Sequence, residues 1–383
     1  MGFATLWTVL ITVPLMAAIQ FISAKVGLVT GKGLAGVLRQ HYSPVVVLPA
    51  VLGLAIVNAI NAGVDIGAIA AGINVLAPIP IQAMIVPIAL LIVALQVWGS
   101  YRFIASTFKW LTLALFSYIG AAFLAHPHWP DVLRGTLVPT VRLDSRFLPV
   151  LMALFGTTMS PYMWFWQANQ EVEERIAIGH KRLWQRRGTT DKELTYAAAD
   201  VNIGMIFSNV VAYFIILATA ATLFKVGKTD IKSAAAAAEA LRPFAGDAAR
   251  LLFAAGLVGA GFLAVPVLTG SGAYAVAEAF KWKHGLDKQP HHAREFYAVI
   301  GASTFIGMFV NYIGVNPLDA LFWTGVINGF LTPPLLVLLM LVSNNRRIMG
   351  ERVNGPWLNV LGWVTAGIMF TIAAGLVLTW GRS

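Results

Sequence analysis

Residues 156–174 read GTTMSPYMWFWQANQEVEE, and the fold turns on how they are read. The segment 147–168 around them is long and apolar enough to cross a bilayer, yet it carries Thr157, Thr158, Ser160 and Pro161 at its centre. In hydrocarbon, each unpaired backbone polar group costs several kcal/mol. A proline inside a helix gives no N–H to the carbonyl four residues earlier and pushes it aside, and four before Pro161 is Thr157. The Thr157 carbonyl is therefore expected to leave the helical ladder, among three hydroxyls of the same turn. Two readings stay open: a discontinuous helix whose unwound oxygens form an ion or substrate site, or a proline kink satisfied by Ser and Thr side chains.

Composition decides the setting. Of 383 residues, 58% are hydrophobic and 11% charged, against roughly 25% charged in a soluble domain, and the mean hydropathy is +0.74. The chain reads as an all-α, multi-pass membrane protein. With no cysteine, disulfide, zinc-thiolate and iron–sulfur chemistry are excluded. The pI of 9.9 does not indicate nucleic acid, because the basic residues sit in short loops between apolar stretches, as a topology signal does.

A bilayer-length window gives ten candidate spans, near 3–23, 44–76, 79–101, 103–125, 147–168, 195–224, 250–280, 296–315, 318–342 and 357–380. The first has no basic residue before it and Lys25 after it, the reverse of a cleaved leader. Alternate loops hold unequal numbers of Lys and Arg. One set, including Lys25, Lys32, Arg39, the run from Arg175 to Lys192, Lys281 to Arg294 and Arg346 to Arg352, has 18 of the 27; the other has nine. The richer set is assigned to the cytoplasm. Ten spans then put both termini outside, and one further span upstream would restore the usual arrangement. Ala234–Ala238 reads as a short surface helix in an outer loop. Gly256, Gly259 and Gly261 read as close helix packing.

Other polar residues fall into stripes. Asn58, Asn61 and Asp65 share one helix face by their spacing, and Asp65 is the one acid deep within a span; a charge there costs about 2.5–3.5 kcal/mol or more and is expected to face a watery path. Asn328 and Thr332 make a second stripe before Pro333 and Pro334. Interhelical hydrogen bonding is the plainer explanation of each stripe; taken together they suggest a lined pathway. Glu171, Glu173 and Glu174 follow the interrupted span, as a cation vestibule or as partners for Arg175 and Lys181. All seven histidines, His291 and His292 included, lie in loops and read as a solvated face. No phosphate loop, nucleophile elbow or HExxH stretch is found, so no enzyme is expected, and no cofactor.

The stretches LFGTTMSPYMWFWQANQEVEE, DVNIGMIFSNVVAYFIILATAATLF, GLVGAGFLAVPVLTGSGAYAVAEAF and WTGVINGFLTPPLLVLLMLVSNNRRIMG resemble the Nramp family of divalent metal transporters, and are most similar to its divergent bacterial branch of magnesium transporters. The resemblance implies a LeuT-like fold of two inverted repeats, here an incomplete first repeat at 1–130, a second at 147–342 and an extra helix at 357–380, in one domain of a bacterial inner-membrane protein. It implies a divalent cation as substrate, moved by alternating access. The family's broken sixth helix binds metal through an alanine carbonyl and a methionine sulfur. Thr157 stands at the alanine position, Ser160 at the methionine and Tyr162 at a histidine. A hydroxyl in place of a thioether suits a hard, oxygen-preferring ion, Mg²⁺ or Mn²⁺, and Mg²⁺ sheds water reluctantly, so it would be held largely hydrated. Thr157 and Ser160 are the expected metal ligands; Asp65, Asn58, Asn61, Thr158, Tyr162 and Asn328 are the expected pathway or coupling residues.

Two departures stand against that pattern. Asp65 falls near the family's acidic position on its third helix, but 296–315 holds no arginine, where the family's proton route has one. The family's first helix, with its Asp-Pro-Gly-Asn-like motif, also has no counterpart in this sequence. The reading expects either a protein that begins upstream or a truncated relative that transports poorly. A LeuT-fold carrier of an organic substrate such as an amino acid, and a non-transporting remnant, are the alternatives.

Overall fold

The structure, a computed structural model, describes residues 2–98, 112, 115–142, 144, 147–224, 227, 234–314 and 316–379. Its helices are α1 (Trp7–Thr30), α2 (Leu34–His41), α3 (Pro44–Leu76), α4 (Ile81–Trp98), α5 (Phe116–Leu124), α6 (Trp129–Leu137), α7 (Phe147–Thr158), α8 (Pro161–Ala177), α9 (Leu183–Arg186), α10 (Asp191–Thr222), α11 (Ala234–Ala279), α12 (Arg294–Val310), α13 (Pro317–Ser343), α14 (Arg346–Met349) and α15 (Pro356–Thr379). Among the described residues there is no strand, and seven helices are long and apolar enough to cross a membrane. Residues 103–111, 113 and 114 of the expected span 103–125 lie outside the described residues, as do the cations Arg102, Lys109, Arg146, Lys225, Lys228, Lys232 and Arg382. The alanine run opens α11, which turns sharply at Gly246 (φ 76°, ψ 179°) before its membrane-length part.

Starts follow local chemistry. Thr190 and Glu193 form a reciprocal capping box at α10, each satisfying the other's backbone N–H. Asn316 accepts from the first N–H groups of α13, and proline follows at N1, where its missing donor costs nothing. Pro14, Pro49, Pro87, Pro333 and Pro334 are all accommodated inside continuous helices.

Pro161 behaves differently. Instead of kinking a continuous helix, it is the first residue of α8, after a full interruption at Met159 and Ser160 (φ −61°, ψ 134°). At about 1.5 Å per residue, α7 alone is about 18 Å long, so the interruption falls near mid-membrane depth. Glycine makes this possible on one side. A Cβ on Gly156 would lie 2.0 Å from the Gly325 carbonyl oxygen and 2.6 Å from the Gly329 nitrogen, so α7 and α13 touch backbone to backbone just before the break.

The basic loops meet at one end. Gly188 donates to the Val29 carbonyl at 2.9 Å, Arg186 Nε to the Gly31 carbonyl at 2.9 Å, and Glu278 accepts from Gly33 and Gly36. Lys25 is not a loop cation: it is buried within α1, its ammonium 2.6 Å from Asn354 Oδ1. Arg175 is likewise buried, donating to the Arg186 and Gly188 carbonyls and to Glu193.

The α7–α13 contact leaves no space for a side chain, so Gly156→Ala is expected to destabilise the fold by about 1–3 kcal/mol, read as a lowered thermal midpoint in lipid; an unchanged midpoint would refute this packing.

Candidate metal pathway

At the interruption the oxygens are supplied in a particular way. Ser160 is buried, sits at the N-cap position of α8 and gives that helix no side-chain cap. Its hydroxyl turns back to donate to the Gly156 carbonyl at 2.5 Å, with the Thr157 carbonyl farther off at 3.2 Å. Thr157 and Thr158 also donate backward, to Ala153 and Leu154 carbonyls at 2.8 Å each. Thr332 Oγ1 lies 3.4 Å from the Met159 carbonyl and is closer to Asn328 O, at 2.7 Å.

This refines the expectation about Thr157. Ser160 has one proton and the nearer Gly156 oxygen takes it, so the Thr157 carbonyl is only weakly served, while the Thr158 carbonyl has no partner among the described residues. Three hydroxyls whose protons are committed to α7 present lone pairs only. Acceptors without donors suit a cation; Thr157 and Thr158 line a small pocket with Thr8 and Thr12 of α1 and Ile215 and Ile216 of α10, while Ser160 is buried at the break itself.

Around it, the sequence-predicted residues divide. Tyr162, in the first turn of α8, packs against the buried cluster that includes Ala62, Ile66 and Ile69 of α3, the helix that carries Asp65; the Tyr162 carbonyl accepts from Ser271 of α11 at 2.7 Å. Asn61 is committed to another helix, accepting from Thr324 of α13. Asn58 donates to the Leu268 carbonyl of α11 at 3.2 Å, and its Oδ1 is buried without a partner. Asn328 is fully buried, with both amide atoms unpartnered. The plainer explanation thus holds for Asn61 and half of Asn58, and not for Asn328.

Below the break, sequence reasoning missed Gln20. It is 4% exposed, and its amide donates to the Met163 carbonyl at 3.2 Å and to Gln167 Oε1 at 3.1 Å; Gln167 in turn donates to Glu171 at 2.9 Å. Met163, Gln167 and Glu171 are four apart, one face of α8, a periodicity the sequence carries. This ladder ends in a cavity of about 580 Å³ lined by Glu171, Glu174, Glu193 and Asp200, with Arg175 beside them. Glu173 turns away, binding Tyr274 at 2.5 Å and the Leu286 N–H at 3.1 Å. His291 and His292 lie on a short 3₁₀ turn, ring centroids 3.9 Å apart. Among the described residues no three His, Asp or Glu side chains meet in metal-binding geometry.

The chain resembles known proteins over almost its whole length. A family model described as "Natural resistance-associated macrophage protein-like" (Nramp) matches residues 1–379. The chain is 26% identical to the divalent metal cation transporter MntH of Bacillus subtilis, over 98% of this chain and 85% of that one. To its counterpart in Klebsiella pneumoniae (strain 342) it is 28% identical, over 98% and 87%. A mutant of the Eremococcus coleocola manganese transporter superposes with a TM-score of 0.69 at 18% identity, covering 97% of this chain and 79% of that one. A nucleobase-cation-symport-1 family transporter, closed with bromovinylhydantoin bound, gives 0.61 at 15%, covering 99% and 85%. The LeuT-like helical architecture is therefore shared with transporters of two families.

Asn328 supplies a test of the site. A buried unpaired polar group costs about 1–3 kcal/mol, so Asn328→Leu is expected to raise the thermal midpoint of the ion-free protein while abolishing its midpoint shift on adding Mn²⁺. A variant that keeps the ion-induced shift would remove Asn328 from the site.

Proposed function

The chain belongs to the Nramp family, and from that membership and the geometry of the break we propose that it carries a divalent metal cation across the bacterial cell membrane by alternating access, Mg²⁺ and Mn²⁺ being the favoured substrates. The observation that carries this reading is the set of acceptors without donors where α7 ends and α8 begins. Lone pairs of Thr157, Thr158 and Ser160, with the unserved Thr158 carbonyl, offer oxygen ligands of the kind hard cations take, and the C-terminal end of α7 adds its partial negative charge. Relatives named as divalent metal cation transporters support the substrate class.

The ion's route follows the polar ladder. From the break it passes Gln20 and Gln167 to the acidic cavity, which we place at the cytoplasmic end because that is where the basic loops converge. Asp65, on the facing helix α3, offers a carboxyl near the entrance to α8. Asn58 and Asn328 supply amide oxygens, or bind the water of a hydrated ion. The basic loops hold the topology and the acids attract the cargo.

A second reading rests on one observation: α8 begins with no side chain capping its N–H groups, so the carboxylate of an organic substrate would find donors there. The two readings are separable in proteoliposomes loaded to report uptake. Mg²⁺ or Mn²⁺ entry that amino acids do not inhibit supports the first; amino-acid entry indifferent to metals supports the second. Ser160→Met places a soft sulfur where a hydroxyl stands, and is expected to shift competition toward Cd²⁺ at the expense of Mg²⁺. An unchanged ion order in that variant would move the site away from Ser160.

A further inference from the structure

At the same end of the molecule a second, larger cavity has the opposite charge. About 630 Å³ in volume, it is walled by α2 and the turn before it, by Val172 on α8, by α9 and by the end of α11 with the segment after it. Lys32, Arg39, Arg186, Lys281 and His284 line it, with Glu278 as the single carboxylate. That carboxylate is already engaged: its two oxygens accept from Gly33 at 2.8 Å and Gly36 at 3.0 Å, and His284 Nε2 is 3.7 Å away. The cations are not balanced in this way. Arg39 is fixed by its Nε on the Ala279 carbonyl at 3.2 Å, and Arg186 by the Gly31 and Lys181 carbonyls at 2.9 Å each. Both guanidinium groups are thus oriented by neutral oxygens, with donors left over. The Lys32 ammonium reaches only the neutral Gln40, at 2.7 Å, and the Lys281 ammonium has no hydrogen-bond or ion-pair partner among the described residues.

The backbone at Lys281 adds a separate observation. Here α11 ends in a Schellman turn, the Trp282 N–H bonding the Ala277 carbonyl at 2.7 Å, and Lys281 holds the left-handed position with φ 60°. Glycine is the usual occupant; a lysine there is strained by about 1–2 kcal/mol. The turn places the Lys281 side chain at the cavity wall. Beside it Phe280 and Trp282 stack, ring centroids 5.0 Å apart, and Phe280 and Trp184 are exposed. Aromatic side chains of this kind mark the headgroup level of a bilayer.

We propose that this cavity binds a phosphate group, the arginine forks matching its oxygens and an anionic phospholipid of the basic-side leaflet offering it. Because Val172 of α8 is part of the wall, an occupied cavity ties the half-helix below the break to α2 and α11. The binding itself is independent of cation transport. Its test is run without any ion gradient.

Lipid retention by the full chain is measured by native mass spectrometry after exposure to phosphatidylglycerol or phosphatidylcholine vesicles, and again with inorganic phosphate as competitor. Retained phosphatidylglycerol, displaced by inorganic phosphate and absent with phosphatidylcholine, is the expected result. Binding of inorganic phosphate without the lipid would keep the cavity and assign it a soluble phosphate compound. Lys281→Gly removes the charge while relieving the strained backbone, so it cannot fail by unfolding; it is expected to weaken binding about five-fold, as is Arg39→Gln. Arg294→Gln, an equal loss of charge outside the cavity, is expected to change nothing. Equal weakening by all three variants would mean a diffuse surface charge, and no binding of either anion would empty the proposal; either result overturns it.

Discussion

Everything in this chain depends on how one break in a membrane-embedded backbone is tolerated. In hydrocarbon an interrupted helix leaves carbonyls on one side and N–H groups on the other with no water to serve them. Ser160 serves part of that need by donating to Gly156 O, and Thr332 approaches Met159 O. What remains unserved, the Thr158 carbonyl and a set of hydroxyl lone pairs, is a residue of negative potential at mid-membrane depth.

The two charged cavities at the basic end follow a related logic. They lie on opposite sides of α8 and the segment after it, the acidic one against α1 and α10, the basic one against α2 and α11. Arg175 helps to keep them apart: buried and shared among the Arg186 and Gly188 carbonyls and Glu193, it fixes the segment between them. Net charge alone, +10 for the chain, would have predicted repulsion of a cation. The local separation of signs supplies an acidic outlet within a basic face.

Much of this was legible in the sequence, and the reasons differ by element. The positions of seven of the ten expected spans followed from hydropathy, because lipid imposes one length on every crossing. The break at Ser160 and Pro161 was visible as a cluster of helix-disfavouring residues, but whether the helix would kink or stop was not: Pro333 and Pro334 sit inside a continuous α13, and only the Gly156–Gly325–Gly329 contact fixes the end of α7. The fates of Asn58 and Asn61 were hidden because they depend on which partner helix each amide faces. Lys25 and Arg175 read as loop charges, since one-dimensional hydropathy cannot tell a solvated cation from one buried against carbonyls. Gln20 was missed because a lone glutamine acquires meaning only opposite Gln167.

The packing also shows where motion would be least costly. On one side α1 packs along α8 and α10, with Gly27 so close to the Ala168 carbonyl that a Cβ would lie 2.4 Å from it; on the other, α3 packs along α11 and α12, with Gly63 equally close to Gly307. Contacts between backbones at that distance are dry and rigid, so each group would move as a unit. The joint between the groups is of another kind. Ser271, Tyr274 and Glu278 form one stripe on α11, bonding the Tyr162 carbonyl, Glu173 and the N–H groups of Gly33 and Gly36. Hydrogen bonds can be exchanged for water as a gap opens, at a net cost of about 0.5–1.5 kcal/mol each, whereas separating close-packed backbones offers no such substitute. A rocking of the α1–α8–α10 group against the α3–α11–α12 group would therefore open along this stripe, and the break at Ser160 lies beside its upper end.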